Sequence, residues 1–227
     1  MSGASAPAID GHTHFYPRGL LKAAREGTTW FGWRTIREAD GRAGVALGET
    51  VLSFALPEVE LEDPAARIAR RRDEQGIAFE AVQVAGFLWN YHLDAAQGTA
   101  FCTEVNTELA ELEQAAPAEF RGCGVLPLQD TEAALRVLEH SVKELGLSHF
   151  GLTSAVNGMN LDDPRILPVL EAMAEAGVSV NVHPAFFDKI GAGDRLTRYY
   201  FRSSFAAPVE ASVGLMSVIH SGLLDRH

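Results

Sequence analysis

Short apolar segments alternate with longer amphipathic segments through most of this chain. Strand-like runs begin near residues 8, 78, 121, 148 and 178. Apolar runs that are separated by amphipathic helices are typical of a parallel sheet buried on both faces. The later runs recur close to the roughly 30 residues of one βα unit. The pattern therefore predicts an α/β fold with a TIM-barrel-type parallel sheet.

The predicted sheet is an incomplete barrel. A full eight-stranded barrel takes roughly 250 residues, and the segments found here account for about five strands of eight. Residues 15–63 do not follow the βα spacing, so we interpret them as an insertion loop over the barrel rim that includes a small hairpin. We expect one C-terminally incomplete barrel domain over residues 1–227, ending on a helix at 209–221.

Helix boundaries carry recognisable signals. Asp63-Pro64 predicts a helix start and Gly76 its end, and Pro164 and Gly177 bound a second helix in the same way. Two further helices are predicted, at about 94–116 and 131–145. Arginines on the first helix, and others at helical spacing later, are interpreted as solvated helix faces. These arginines are Arg70, Arg71, Arg72, Arg195, Arg198 and Arg202.

Composition excludes several classes of protein. Nineteen basic and 30 acidic side chains give a formal charge of −11, which opposes binding to nucleic acid or anionic lipid. There is no long apolar run for a membrane helix and no export signal near Met1, so we expect a cytoplasmic protein. Cys102 and Cys123 are expected to be reduced thiols.

Three histidines end predicted strands. The first strand contains His12 and His14, and alternate residues of a strand point to the same face. His183 ends the fifth predicted strand, and parallel barrels assemble their chemistry at the carboxyl ends of their strands. Neutral imidazole suits zinc and similar divalent ions. A lone histidine in such a place is more often a hydrogen-bonded core residue, but three at one rim favour a metal site.

Aromatic and polar residues follow the same strand ends. Trp89 and Asn90 come after the second predicted strand, and Phe186 comes after His183. They are candidate substrate-binding residues, although such aromatic residues serve loop packing equally often. The Asn157-Gly158 turn is explained by turn chemistry alone.

Several strings of residues together resemble the amidohydrolase superfamily, in the branch of aminocarboxymuconate-semialdehyde decarboxylase and related carboxy-lyases. The order and spacing of these strings cover nearly the whole chain apart from the segment between His14 and Pro64. They are the opening Ile-Asp-Gly-His-Thr-His, the Asp63-Pro64 segment, Val105 to Ala110, Leu126 to Asp130, Val-Asn-Val-His-Pro around His183, and Ser221 to His227.

The resemblance implies a (β/α)8 barrel with one divalent metal, usually zinc. In this family the ligands are two histidines of strand one, a histidine of strand five and an aspartate of strand eight, and a further histidine after strand six relays the proton. The first three carry over as His12, His14 and His183. The last two have no counterpart, because the sequence stops before a sixth strand, so no catalytic acid or base is assigned.

Two further positions bear on this resemblance. Two-metal members of the superfamily carry a carboxylated lysine on strand four, but the lysines here are Lys22, Lys143 and Lys189, so a single ion is expected. The carboxylate-binding arginine of the family falls in the divergent segment. It is not distinguished among Arg34, Arg37 and Arg42.

Three functions are compatible with these features. The first is a metal-dependent, non-oxidative decarboxylase of a small unsaturated or aromatic carboxylic acid. The second uses the same site as a hydrolase of an amide, ester or lactone. The third is a non-catalytic, truncated barrel fragment. Open sheet edges at the first and fifth strands favour a homodimer or other oligomer.

Overall fold

The structure is a computed structural model that describes residues 8–37, 43–53, 70–184 and 199–227. Its strands are β1 (Ala8–Phe15), β2 (Trp33–Arg37), β3 (Ala43–Leu47), β4 (Thr50–Ser53), β5 (Ile77–Val84), β6 (Phe120–Gly124), β7 (His149–Thr153), β8 (Ala155–Val156), β9 (Met159–Asn160) and β10 (Ser179–His183). Its α-helices are α1 (Arg18–Glu26), α2 (Ala95–Ala115), α3 (Thr131–Lys143), α4 (Leu167–Glu175), α5 (Ala207–His220) and α6 (Leu223–Arg226). Short π-helical turns cover Arg71–Gln75 and Arg202–Ala206.

The principal sheet has five parallel strands in the order β1-β5-β6-β7-β10. Each of these strands begins within a residue or so of the position predicted from the apolar pattern, and helices α2 and α3 follow as predicted. The five-stranded, α/β, TIM-barrel-type prediction is therefore confirmed. Strand β7 lies between β6 and β10 and pairs with both in parallel, so side chains that follow all three strands are presented at one edge.

The chain divides into two compact units. The first contains residues 1–82 and 111–121, and the second contains residues 83–110 and 122–227. In the first unit, the segment interpreted as a loop with a hairpin holds more structure than expected. Helix α1 buries Leu20 and Leu21, and strands β2, β3 and β4 form an antiparallel sheet around the fully buried Trp33.

The second unit has a helix-covered core. A Cβ at Gly122 on β6 would lie 3.0 Å from Leu109 Cβ, which shows how closely helix α2 approaches the strand. Asn106, on the same helix, is fully buried. Its amide donates to the Val125 carbonyl at 2.9 Å and to Ser141 Oγ at 2.8 Å, and its oxygen accepts from Val125 N at 2.7 Å. This side chain therefore joins α2, the end of β6 and α3.

The prediction that Arg71 lies on a solvated helix face is wrong. Its side chain is 18% exposed and lies between two carboxylates, with Nη1 3.0 Å from Asp10 and Nε 2.9 Å from Glu80. It is a partly buried ion-pair residue and not part of a solvated face, because the fold brings Asp10 on β1 and Glu80 on β5 beside it. Arg72 is exposed, as predicted.

Several predicted features are only partly covered by the described residues. The helix start at Pro64 lies outside them, as do Arg195 and Arg198, whereas Gly76 ends the first helix in a left-handed conformation with φ 68°. The helix predicted from Pro164 begins at Leu167, after a turn. In the described part of the chain, no helix has both the length and the apolar character needed to cross a bilayer. Cys102 and Cys123 are buried free thiols, as predicted.

Candidate metal centre

His12 and His14 lie side by side on β1. Their Nε2 atoms are 3.1 Å apart, and the ring centroids are 4.9 Å apart with the planes nearly perpendicular at 81°. The intervening Thr13 is buried and donates from Oγ1 to the Ala81 carbonyl at 3.2 Å. Because successive strand residues alternate in direction, this bond on one face leaves both imidazoles on the other.

The backbone next to this histidine pair is held by contacts of the Asp10 carboxylate. His12 N donates to Asp10 Oδ1 at 3.1 Å, and the other oxygen of the same carboxylate accepts from Arg71. Arg71 also reaches Glu80 on β5. A partly buried guanidinium shared by two carboxylates therefore holds the amino-terminal half of β1, directly before the histidine pair.

His183 ends β10, where its ring makes two of the contacts described here and its backbone carbonyl makes a third. Nδ1 lies 2.8 Å from the Pro184 carbonyl. Since a carbonyl only accepts, Nδ1 carries the hydrogen and Nε2 presents its lone pair, which is how metal-binding histidines are commonly oriented. The indole of Trp89 lies 5.0 Å away, centroid to centroid, at 39°. The His183 carbonyl accepts from Ser154 N at 2.8 Å.

Among the residues that the structure describes, one group of side chains is arranged so that it could hold a metal ion, and its members are the three predicted histidines. Ligand atoms of His12, His14 and His183 all lie within 4.8 Å of one another. Two nitrogens bound to one tetrahedral ion at the usual zinc distance are separated by roughly 3.3 Å, close to the separation within the β1 pair. The donor set, three neutral imidazoles, is one that zinc and related divalent ions accept. The residues therefore fit a single divalent ion.

Trp89 and Asn90 follow β5, as predicted, and both are buried. The Nε1–H of Trp89 has no hydrogen-bond acceptor among the described residues, although the indole is only 4% exposed. Asn90 has a positive φ of 55°, a left-handed conformation that asparagine adopts more readily than most residues other than glycine. Phe186, the third predicted substrate-binding residue, lies outside the described residues.

Tyr91 and His92 complete this segment. Burial raises the pKa of the Tyr91 phenol well above its usual range. Burial also lowers the pKa of His92 below the usual value, which favours the neutral ring. The Tyr91 carbonyl accepts from Asn157 Nδ2 at 2.8 Å, so the Asn157-Gly158 turn between β8 and β9 supports this loop.

Three residues near His183 were missed from the sequence. Gln83 Oε1 lies 3.3 Å from Asn181 Nδ2, so two polar side chains meet inside the second unit. Each lies between two valines near the end of its strand, one residue before the end of β5 and two before the end of β10, and a polar residue in that setting was the available signal. The third residue, Gly86, lies so close to the His183 ring that a Cβ there would be 2.5 Å from Cε1. Nothing in the local sequence indicates that contact.

The positions of the candidate carboxylate-binding arginines and of the lysines are described only in part. Arg34 is exposed and donates to the Gly48 carbonyl at 3.4 Å, while Arg42 and the side chain of Arg37 lie outside the described part. Lys143 pairs with Glu139 on α3. Strand β7, the fourth of the principal sheet, contains no lysine, in agreement with the expectation of a single ion.

Comparisons with known proteins agree with this architecture. The chain is 27% identical over 221 residues to the 2-amino-3-carboxymuconate-6-semialdehyde decarboxylase of Dictyostelium discoideum, a match that covers 96% of this chain and 59% of the relative. The apo structure of the Metarhizium anisopliae IDCase superposes with a TM-score of 0.76 at 20% identity, over 97% of this chain and 62% of that one.

A second solved structure binds a metal. It is the dihydroxybenzoic acid decarboxylase of Polaromonas sp. JS666, with bound manganese and the inhibitor 2-nitroresorcinol, and its TM-score is 0.69 at 23% identity. The match covers 97% of this chain and 62% of that one, so the present chain spans about three-fifths of the length of these relatives. The family model described as amidohydrolase matches residues 9–227, and the chain belongs to that family.

Proposed function

We propose that the protein is a metal-dependent, non-oxidative decarboxylase of a small unsaturated or aromatic carboxylic acid, in which His12, His14 and His183 bind one divalent ion. The observation that carries the proposal is the grouping of these three imidazoles, whose ligand atoms lie within 4.8 Å of one another. The relative from Dictyostelium and the metal-bound structural neighbour are both named as decarboxylases, which favours carboxyl removal over hydrolysis.

The bound ion would act as a Lewis acid that polarises a substrate oxygen. The protein's own residues provide orientation. The Nδ1 hydrogen of His183 is held by the Pro184 carbonyl, so this ring is fixed before any ligand arrives. Preorganisation of this kind lowers the cost of binding, because the ligand geometry does not have to be created on association.

Trp89 is proposed to bind the substrate. Its indole N–H is buried and has no acceptor among the described residues, and such a donor is costly unless a bound molecule satisfies it. A carboxylate or phenolate oxygen is the matching acceptor. The aromatic face of the same side chain can stack on a planar acid. Asn90 and Phe186 remain proposed substrate-binding residues on the basis of their sequence positions.

Zinc is the proposed ion, because three imidazoles form a set that zinc commonly accepts. Manganese is the ion named in the Polaromonas structure, so it is tested alongside. The other predictions that accompany this function are a single domain over residues 1–227, an insertion at residues 15–63, a cytoplasmic location and a homodimer or other oligomer. They stay predictions.

The purified chain, loaded with zinc or with manganese, tests the function directly. Carbon dioxide release is measured with 2-amino-3-carboxymuconate-6-semialdehyde and with dihydroxybenzoic acids, and an ester, an amide and a lactone are assayed for hydrolysis. Metal-dependent release of carbon dioxide is expected. A metal-loaded, folded protein that only hydrolyses the second group would support the hydrolase alternative, and one inactive on both would support a non-catalytic chain.

A further inference from the structure

Gly86, just after β5, occupies the space beside the His183 ring. A Cβ built on Gly86 would lie 2.5 Å from Cε1, 3.0 Å from Nε2 and 3.2 Å from Nδ1 of His183. Non-bonded carbon atoms attract at roughly 3.5–4.0 Å and repel steeply below that separation. The imidazole and any side chain at residue 86 therefore exclude one another in this arrangement.

The absence of a side chain is what matters at Gly86, because its backbone does not require glycine. The glycines with positive φ in the described residues do not include Gly86. An alanine there would be free of the backbone strain that alanine suffers at positive φ. Its effect would reach the protein through the contact with His183.

His183 has little freedom to move away from such a methyl group. Its Nδ1 hydrogen bond to the Pro184 carbonyl is 2.8 Å long, and the Trp89 indole lies 5.0 Å from its centroid. Relief of the contact requires a ring movement of about 1 Å, since normal carbon contacts begin near 3.5 Å. Metal–ligand distances, in contrast, tolerate only about 0.2 Å.

We propose that Gly86 is a positioning residue for His183: the missing side chain sets where the imidazole nitrogen lies and thereby how tightly a divalent ion is bound. The inference rests on the proposed metal site and adds a residue that does not itself touch the ion. It links His183, at the end of β10, to a turn residue just after β5 that lies almost one hundred residues earlier in the sequence.

The test compares Gly86→Ala with Gly11→Ala. Gly11 is a matched control, because it precedes His12 on β1 and a Cβ there would have no atom of the described residues within 4 Å. Zinc affinity is measured by competition with a chelator, and the visible spectrum of the cobalt(II)-loaded protein reports the ligand set. Gly86→Ala is expected to weaken zinc binding by at least roughly tenfold, as displaced outer-shell partners do, and to change the cobalt spectrum. Gly11→Ala should match the parent protein.

A double-mutant cycle with His183→Ala separates a specific contact from general damage. Removal of the ring opens the space into which the methyl group projects. Gly86→Ala should therefore cause no further loss of zinc affinity in the His183→Ala background. The thermal midpoint with excess chelator should fall for Gly86→Ala alone and be restored, at least partly, in the double variant.

The outcomes are distinguishable. Unchanged zinc affinity in Gly86→Ala, or an equal loss with and without His183, overturns the proposal. If Gly86→Ala does not fold but the double variant does, the contact is supported. If the parent protein binds no metal, the proposed function fails, and the thermal cycle in chelator still decides whether Gly86 and His183 are coupled.

Discussion

Gly214 on α5 lies directly against the backbone of Ser154. A Cβ at Gly214 would be 2.7 Å from the Ser154 Cα, and Glu210, one turn earlier, accepts a hydrogen bond from Ser154 Oγ at 3.0 Å. Gly214→Ala should lower the free energy of unfolding by about 1–3 kcal/mol, because overpacking against backbone outweighs the gain in helix propensity. Urea unfolding measures this loss.

Gly98→Ala on α2 is the comparison for that variant. Its Cβ would meet the terminal amide of Gln129 at 2.6 Å, which is the mobile end of a side chain and can move away. The loss of stability should be smaller than for Gly214→Ala. Equal losses would show that the backbone of Ser154 yields as readily as a side chain.

Substitution of the three histidines tests the metal centre. His12→Ala, His14→Ala and His183→Ala should each weaken zinc binding by more than about 100-fold, since even outer-shell partners contribute 10- to 100-fold. His220→Ala, at the exposed end of α5, should leave affinity unchanged. Chelator competition gives the affinities, and elemental analysis gives the stoichiometry. Retention of one tightly bound ion after loss of any of the three would remove that residue from the centre.

Trp89→Phe keeps an aromatic ring beside His183 and deletes the indole N–H. If that donor binds a substrate carboxylate, KM should rise roughly tenfold or more, because a hydrogen bond to a charged group contributes about 1.5–3 kcal/mol. Metal content should stay the same. Steady-state kinetics on the substrate that the carbon dioxide assay identifies provide the measurement.

Trp30→Phe is the control for Trp89→Phe. Trp30 is also buried, and it packs against Phe31 in the first unit. Trp30→Phe should leave KM unchanged. An unaltered KM in Trp89→Phe would show that the substrate does not accept a hydrogen bond from this indole.

Asp163, in the turn before α4, is expected to contribute to the free energy of unfolding in a way that depends on pH in the acid range. Its carboxylate is hydrogen-bonded by the Arg165 side chain and backbone N–H, and these bonds lower its pKa from 3.8 to about 2. A lowered pKa in the folded state stabilises the protein above the unfolded pKa. The contribution of Asp163 is therefore complete above about pH 4 and disappears as the pH falls toward 2.

Unfolding of Asp163→Asn and of the parent protein at several pH values checks this dependence. The difference between the two should be constant near neutral pH and should shrink between pH 4 and 2. Arg165→Gln should reduce the difference at neutral pH. A gap that persists unchanged at pH 2 would contradict the assignment.

The sequence patterns predicted the principal sheet well because its strands are nearly continuous apolar runs. Glycines also marked helix ends correctly, as Gly76 and Gly222 show with positive φ. His12 and His14 could be placed together because alternation along one strand is a local property. His183 required only the further rule that parallel strands end at one edge.

Other features depend on partners that a local pattern does not contain. Strands β2 to β4 are short and pair with one another in an antiparallel sheet, and the first residue of β2, Trp33, is fully buried. In the sequence, Arg71 cannot be distinguished from its exposed neighbour Arg72, because Asp10 and Glu80 approach it only in the folded chain. Gly86 carries no signal at all, since the ring that needs its space comes from β10.

The Asp10–Arg71 ion pair has a consequence for the register of β1. A shift of that strand by one residue would turn every side chain to the opposite face of the sheet. Both imidazoles would leave the metal-binding side, and Asp10 would leave its guanidinium at the same moment. The ion pair thus disfavours a slip that would separate the three histidines, and it helps to keep β1 in register although neither of its residues belongs to the histidine group.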